Sequence, residues 1–296
     1  MLFCVQRKAY AKINLQLNIT GKREDGYHTL STVMHKTGLY DTVTVRRIES
    51  GWGVKCRSPE VPNDESNIVF PAGVMFFAML AVKQGRLSMN DLTAGFLQSD
   101  AFDFTKIAPP YEIIIDKKIP VQAGLGGGSS DAAATLLALN ELIAEDGAPP
   151  FDERDLLFIA KAIGADVPFC LHANMKDGGF SARCEGIGEI IEPISVSLPD
   201  FLVLAKGKEG VSTAAAYKRF DENPPAQRNE PFYNVFETLT DNEETKLLRE
   251  TFKSFGAEEI SLTGSGSCMY GFFENKKAAE ACRQFLNKRN FWAVIA

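Results

Sequence analysis

Between Ala9 and Thr20 apolar and polar residues alternate without a break. Ala11, Ile13, Leu15, Leu17 and Ile19 line one face, and Lys12, Asn14, Gln16 and Asn18 line the other. That is the period of a β-strand with one buried side. Lys12 and Asn14 therefore project the same way, about 7 Å apart at the rise of a strand. Further strands are expected over Asp41 to Ile48 and Tyr111 to Asp116. Helical spacing predicts helices over Ile68 to Val82, after a turn around Asn63 to Asn67, and over Phe151 to Ile163, where Gly164 is the natural stop. Lys83 to Pro110 holds no period and reads as an insertion. Pro168 is expected to prevent further helix beyond Asp166. Beyond Gly178-Gly179, strands are expected at Phe201 to Ala205, Glu259 to Leu262 and Met269 to Phe273. Helices are expected at Thr213 to Arg219, Phe232 to Leu239, Glu243 to Phe255 and Lys276 to Asn287. The glycine pair is the expected junction of two domains, 1–177 and 178–296, the second of α+β type.

One stretch breaks these periods. Ile119 to Ile143 has an apolar lead-in, then four glycines in five positions (Gly124, Gly126, Gly127, Gly128), then Ser129, Ser130 and Asp131 before an Ala-rich run. Glycines let backbone N–H groups converge on one concave space. Ser129, Ser130 and Asp131 are good N-cap residues, so a helix is expected to begin there, with its positive end toward the glycines. A glycine turn on a helix N-terminus suits a phosphate. No Lys-Ser/Thr follows the glycines as in a Walker A loop. Counted from Gly124, the sixth position is Ser129 rather than the glycine of a dinucleotide fingerprint.

The composition narrows the class. A chain of 296 residues, 45% hydrophobic, has ample core for two domains, and a net charge of −6 disfavours a broad nucleic-acid footprint. The apolar runs are too short for a membrane span, and the first ten residues turn polar too soon for a signal peptide. Six scattered cysteines without a C-x-x-C pair read as reduced thiols of a cytoplasmic protein rather than disulfides or a zinc site. His28, His35 and His172, the three histidines, are not spaced as a metal cluster.

The candidate residues each admit a plain reading. Lys12 is a solvated strand lysine or a buried ammonium. Asp166, in G-A-D-V-P-F, is a turn residue bonding its own backbone or a base. Tyr27 and His28 leave a charged glycine loop, and either plug it or offer a ring and an imidazole to a ligand. Thr263-Gly264-Ser265-Gly266-Ser267 is a hairpin turn or a second set of anion-binding amides. Two small-residue anion loops with one Lys and one Asp are the parts of a phosphoryl-transfer enzyme.

The strings A-K-I-N-L, G-L-G-G-G-S-S-D-A-A and T-G-S-G-S stand in the order found in the GHMP kinases, and the chain resembles that family. T-G-K-R-E-D-G-Y-H-T-L, G-A-D-V-P-F and G-V-S-T-A-A-A-Y are similar to one branch of it, whose acceptor is a small alcohol carrying a cytidine diphosphate group. The resemblance runs from about Ala11 to Gly271. It implies a two-domain α+β fold with the active site in the cleft between domains, and phosphoryl transfer from ATP with Mg²⁺ to the 2-hydroxyl of a methylerythritol moiety. It also implies roles. Asp166 would take the hydroxyl proton and Lys12 would hold Asp166 ionised. Gly124, Leu125, Gly126, Gly127, Gly128, Ser129 and Ser130 would wrap the ATP phosphates, with Asn67 near the base. Tyr27 and Tyr217 would flank the cytosine and His28 would bond its edge. Asn14 would contact the methylerythritol, Thr213 the cytidine end, and Gly264, Ser265 and Gly266 the substrate. No metal ligand is assigned beyond Ser130 as a candidate. Gly207 stands where the branch has a proline. Two other readings share these motifs: a GHMP kinase of another small alcohol, such as homoserine or mevalonate, and a nucleotide-binding sensor without turnover.

Overall fold

The computed structural model describes residues 4–92, 103–208 and 212–296. In chain order, β1 (Cys4–Lys22), β2 (His28–Arg47) and β3 (Trp52–Cys56) precede α1 (Val69–Lys83) and β4 (Tyr111–Asp116). Three helices follow: α2 (Gly127–Glu145), α3 (Glu153–Ile163) and α4 (Val167–Met175). Then come β5 (Ser181–Gly186), β6 (Ile190–Ile194), β7 (Phe201–Lys206), α5 (Thr213–Glu222) and α6 (Glu243–Ser254). β8 (Glu259–Leu262), β9 (Met269–Phe273), α7 (Lys276–Lys288) and β10 (Trp292–Ile295) complete the order. The expected insertion carries two short 3-10 turns, Met89–Leu92 and Phe104–Lys106, and its residues 93–102 lie outside the described residues.

The fold is α+β, in two compact units that interleave along the chain. One takes the chain up to Ala9, then Tyr40–Lys118 and Gly127–Met175; the other takes Tyr10–Leu39, Ile119–Gly126 and Lys176–Ala296. The glycine run is thus divided after Gly126.

In the first unit β4 pairs parallel with β3 and antiparallel with β2, from Thr42↔Asp116 to Arg47↔Tyr111. α2 packs on α1 and α4 and is buried nearly all round, Ala132, Ala133, Ala134, Leu136 and Leu139 being fully enclosed. It begins at Gly127, four residues before Asp131. Asp131 is not an external cap, because its carboxylate is buried and meets Lys117 Nζ at 2.7 Å, while Lys117 also holds Asp41 at 2.5 Å. Burial pushes the Asp131 carboxyl up from the usual carboxylate range against the pull of Lys117, and the charge of Asp41 adds to the rise. Burial works against the charge on Lys117, but its two carboxylates prevail and raise its pKa. The expectation that Pro168 bars helix is corrected. Pro168 sits in the first turn of α4, where a missing N–H costs nothing.

The second unit is built on the antiparallel sheet β10-β7-β9-β8. Both faces of β7 are covered, which explains its unbroken apolar run. Val203 and Ala205 join a core with Leu17, Ile19, Phe236, Leu248, Phe252 and Leu286. Leu202 and Leu204 join Ala11, Ile13, Leu15, Tyr270 and Phe272 on the other side. The first half of β2 pairs with β5, and β5 with β6. Asn275 caps α7, whose stripe Ala279, Cys282 and Leu286 is buried at helical spacing. Asn242 and Thr245 form a capping box on α6. The helix expected over Phe232 to Leu239 is absent, and the stretch turns instead. Two of its backbone groups pair with β1, Leu17 N–H donating to Tyr233 O at 2.8 Å and Val235 N–H to Leu17 O at 3.0 Å, while Glu237 and Leu239 N–H close turns on Asn234 O and Phe236 O, each at 3.0 Å. The C-terminal residues form β10, in register from Trp292↔Lys206 to Ile295↔Val203.

Candidate active site

Lys12 sits mid-strand in β1, opposite the apolar face, yet it is only 4% exposed. The solvated reading of this lysine therefore does not hold. Its backbone N–H donates to Leu125 O at 3.0 Å and its Nζ to Asn14 Oδ1 at 2.8 Å. Gly126, at φ +66°, lies flat on the Lys12 stem, where a Cβ would come within 2.9 Å of Lys12 Cγ. A side chain at 126 would displace the lysine, which is why this position is glycine.

Asn14, 2% exposed, is the hub of the second unit's polar interior. Its Oδ1 also accepts the Gly264 N–H at 3.0 Å, its Nδ2 donates to Thr32 Oγ1 at 2.9 Å, and its backbone O accepts from the Tyr270 hydroxyl at 3.1 Å. The two glycine clusters meet here. Thr263 Oγ1 donates to Gly124 O at 3.1 Å, and a Cβ on Gly124 would stand 2.1 Å from Thr263 O. Gly124 and Gly264 both have positive φ, 74° and 56°. The T-G-S-G-S segment is the β8–β9 turn, as its plain reading has it, and its backbone also packs on the first glycine loop. Asn234 locks this turn by donating to Leu262 O and Gly264 O, each at 2.9 Å. Ser265 is buried and its Oγ lies 3.1 Å from Thr213 Oγ1, while Gly266 closes the turn with an N–H to Thr263 O at 3.0 Å.

A second group lies along α5. Thr213, Tyr217 and Asp221 recur every four residues and share one face. Tyr217 stacks on His28 at 4.8 Å with the rings inclined by 25°, and Phe220 meets His28 edge-on at 5.9 Å. Asp221 Oδ1 lies 2.7 Å from His28 Nε2, and its other oxygen 2.6 Å from Lys22 Nζ. The hydrogen bond from Lys22, and then that from His28, hold this carboxyl below the usual carboxylate range. Tyr27 is 62% exposed. Residues 209–211 of the G-V-S-T-A-A-A-Y region lie outside the described residues.

In the first unit Asn67 is buried and shapes the entry to α1, donating from Nδ2 to Pro62 O at 2.8 Å and accepting the Val69 N–H at 3.2 Å. Gly127, Gly128, Ser129 and Ser130 form the first turn of α2. Ser130 is fully buried, and its carbonyl accepts from Asn174 Nδ2 at 3.3 Å. The leading N–H groups of any helix lack partners within it, so the first turn of α2 is chemically suited to an anion such as a phosphate. Asp166 immediately precedes α4, and its carbonyl accepts the Cys170 N–H at 3.0 Å. Among the described residues no group of three or more His, Cys, Asp or Glu side chains is gathered as for a metal ion. No described helix is long and apolar enough to cross a membrane, and the six cysteines are free thiols.

Sequence reasoning missed Thr32, Tyr270, Asn234 and Asp221. Only Asp221 left a signal, four residues after Tyr217. Asn234 lies in the stretch whose spacing predicts a helix.

Residues 92–174 match the family described as GHMP kinases N terminal domain, and residues 239–291 match GHMP kinases C terminal. Fold and site together define a two-domain α+β kinase of the GHMP class, an ATP-dependent phosphotransferase. The 4-diphosphocytidyl-2-C-methyl-D-erythritol kinase of Clostridium novyi is 35% identical over 95% of both chains, and that of Clostridium kluyveri 34% over 93% of both. The chain belongs to this 4-diphosphocytidyl-2-C-methyl-D-erythritol kinase family. A solved 4-(cytidine 5'-diphospho)-2C-methyl-D-erythritol kinase superposes with a TM-score of 0.70 at 28% identity, covering 98% of each chain. Homoserine kinase from Cytophaga hutchinsonii, at 15% identity and a TM-score of 0.58 over 99% of this chain and 93% of its own, shares the fold.

Proposed function

We propose that the chain phosphorylates the 2-hydroxyl of 4-diphosphocytidyl-2-C-methyl-D-erythritol with ATP, as a cytoplasmic enzyme of non-mevalonate isoprenoid precursor synthesis. The observation that supports this most directly is the buried Lys12 ammonium on Asn14, beside the paired backbones of Gly124 and Gly264. A cation enclosed next to side-chain-free amides suits charge that builds on a transferring phosphoryl group.

In this reading Asp166 takes the proton of the acceptor hydroxyl as its oxygen bonds to the γ-phosphorus. The bond from that phosphorus to the bridging oxygen breaks and ADP leaves. Lys12 neutralises charge on the transferring oxygens. Backbone N–H groups from Gly124 to Ser130 hold the phosphates, and Asn67 lies near the base. Mg²⁺ bound with the triphosphate would offset its charge, with Ser130 the one candidate protein ligand. Tyr27, His28 and Tyr217 receive the cytosine, Thr213 the cytidine end, Asn14 the methylerythritol, and Gly264, Ser265 and Gly266 the substrate. The segment 1–177 supplies the ATP loop and the catalytic pair together with the acceptor contacts of Asn14, Tyr27 and His28, and 178–296 supplies the remaining acceptor contacts.

The test is release of ADP from ATP with and without the cytidine-diphosphate alcohol. Turnover should require that alcohol, and Asp166→Asn should lower kcat by about 10³-fold while substrate still binds. Equal turnover with homoserine or mevalonate, or a near wild-type rate for Asp166→Asn, refutes the reading.

A further inference from the structure

One ring in the second unit is held more completely than a loop plug needs. His28 is fixed by three side chains of α5: Tyr217 on its face, Phe220 at its edge and the Asp221 carboxylate on Nε2. The imidazole side chain is 9% exposed, so its orientation is set by these neighbours. Asp221 is in turn held by Lys22 at 2.6 Å, and it is an ionised acceptor without a proton to give. A neutral imidazole carries one N–H and one lone pair, and a carboxylate on Nε2 takes the N–H. Nδ1 is then left as an acceptor.

We propose that Asp221 is a positioning residue for base selection: by fixing the His28 tautomer it presents an acceptor that takes an exocyclic amino group and rejects a carbonyl. This rests on the reading that His28 meets the edge of the substrate's base. Cytosine carries an amino donor at the position where uracil carries a carbonyl oxygen. An acceptor facing the first gains a hydrogen bond, and facing the second it meets another lone pair. Tyr217 and Phe220 supply the apolar walls, but rings alone do not distinguish the two bases.

The experiment uses the full chain with ¹⁵N-labelled histidine and two acceptors, the cytidine-diphosphate alcohol and its uridine counterpart. In the wild type the long-range ¹H–¹⁵N spectrum should show His28 protonated at Nε2 alone, and kcat/KM should favour the cytidine compound by 10- to 100-fold. Asp221→Ala should give mixed tautomers and cut that preference at least fivefold, the loss falling on KM rather than kcat. Asp221→Asn keeps an acceptor oxygen and should restore both. Wild-type protein inactive on both acceptors overturns the functional reading and the proposal with it. Activity with an unchanged tautomer or preference in Asp221→Ala, or an imidazole protonated on both nitrogens, overturns the proposal alone.

Discussion

Lys12 and Asn14, two residues apart on one face of β1, are joined side chain to side chain at 2.8 Å inside the protein. The same Asn14 oxygen receives the Gly264 N–H from a turn 250 residues away in the chain. One amide thus orients the ammonium and pins the second glycine cluster. Asn14→Ala removes the acceptor for both and the donor to Thr32. A buried polar group left unmet costs about 1–3 kcal/mol. We expect a clear fall in Tm together with a loss of kcat/KM of tenfold or more. Unchanged values of both would contradict the hub.

Gly124 and Gly26 share a left-handed backbone, φ +74° and +87°, but differ in the space around them. A Cβ at Gly26 meets nothing within 4 Å, whereas one at Gly124 meets Thr263 O at 2.1 Å. Gly26→Ala should cost about 1 kcal/mol from the backbone alone. Gly124→Ala should cost at least about 2 kcal/mol more, since the hairpin must shift. Urea unfolding of the two variants reads the difference directly, and equal losses would mean that the loops do not bear on each other.

His35 introduces an acid limit. Its Nδ1 lies 2.7 Å from Ser181 Oγ, and burial lowers its pKa from 6.5 to about 4. The folded protein then binds fewer protons than the unfolded chain between these values. Stability from this residue is complete above pH 6.5 and is lost as pH falls through about 4. The loss amounts to on the order of 2–3 kcal/mol. Tm measured from pH 7 to pH 4 should fall more steeply for the wild type than for His35→Gln. Parallel curves would show that His35 is not buried neutral.

Phe252 closes the core of the second unit against Gly271, where a Cβ would stand 2.8 Å from the ring. Phe252→Ala should cost about 3–5 kcal/mol, and Gly271→Ala should destabilise through the same contact. A thermal melt of each variant checks this. A neutral Gly271→Ala would show that the ring can yield.

The sequence by itself determined what depends on neighbours along the chain. Tyr111 to Asp116, Glu259 to Leu262 and Met269 to Phe273 are strands with those bounds, and α1, α3, α6 and α7 begin and end within two residues of expectation. There, hydrophobic period and capping residues act locally. Motif order carried the kinase class for the same reason. Only the tertiary structure decided the rest. It buried the polar side of β1, turning Lys12 and Asn14 from a solvated edge into an enclosed pair. It paired the backbone of Tyr233 and Val235 with Leu17 of β1, inside the stretch whose spacing suggested a helix. It drew Asp131 from a helix cap into an ion pair with Lys117, and it laid Gly264 on Gly124. Each of these outcomes is set by a partner far away in sequence, and a local pattern carries no information about that partner.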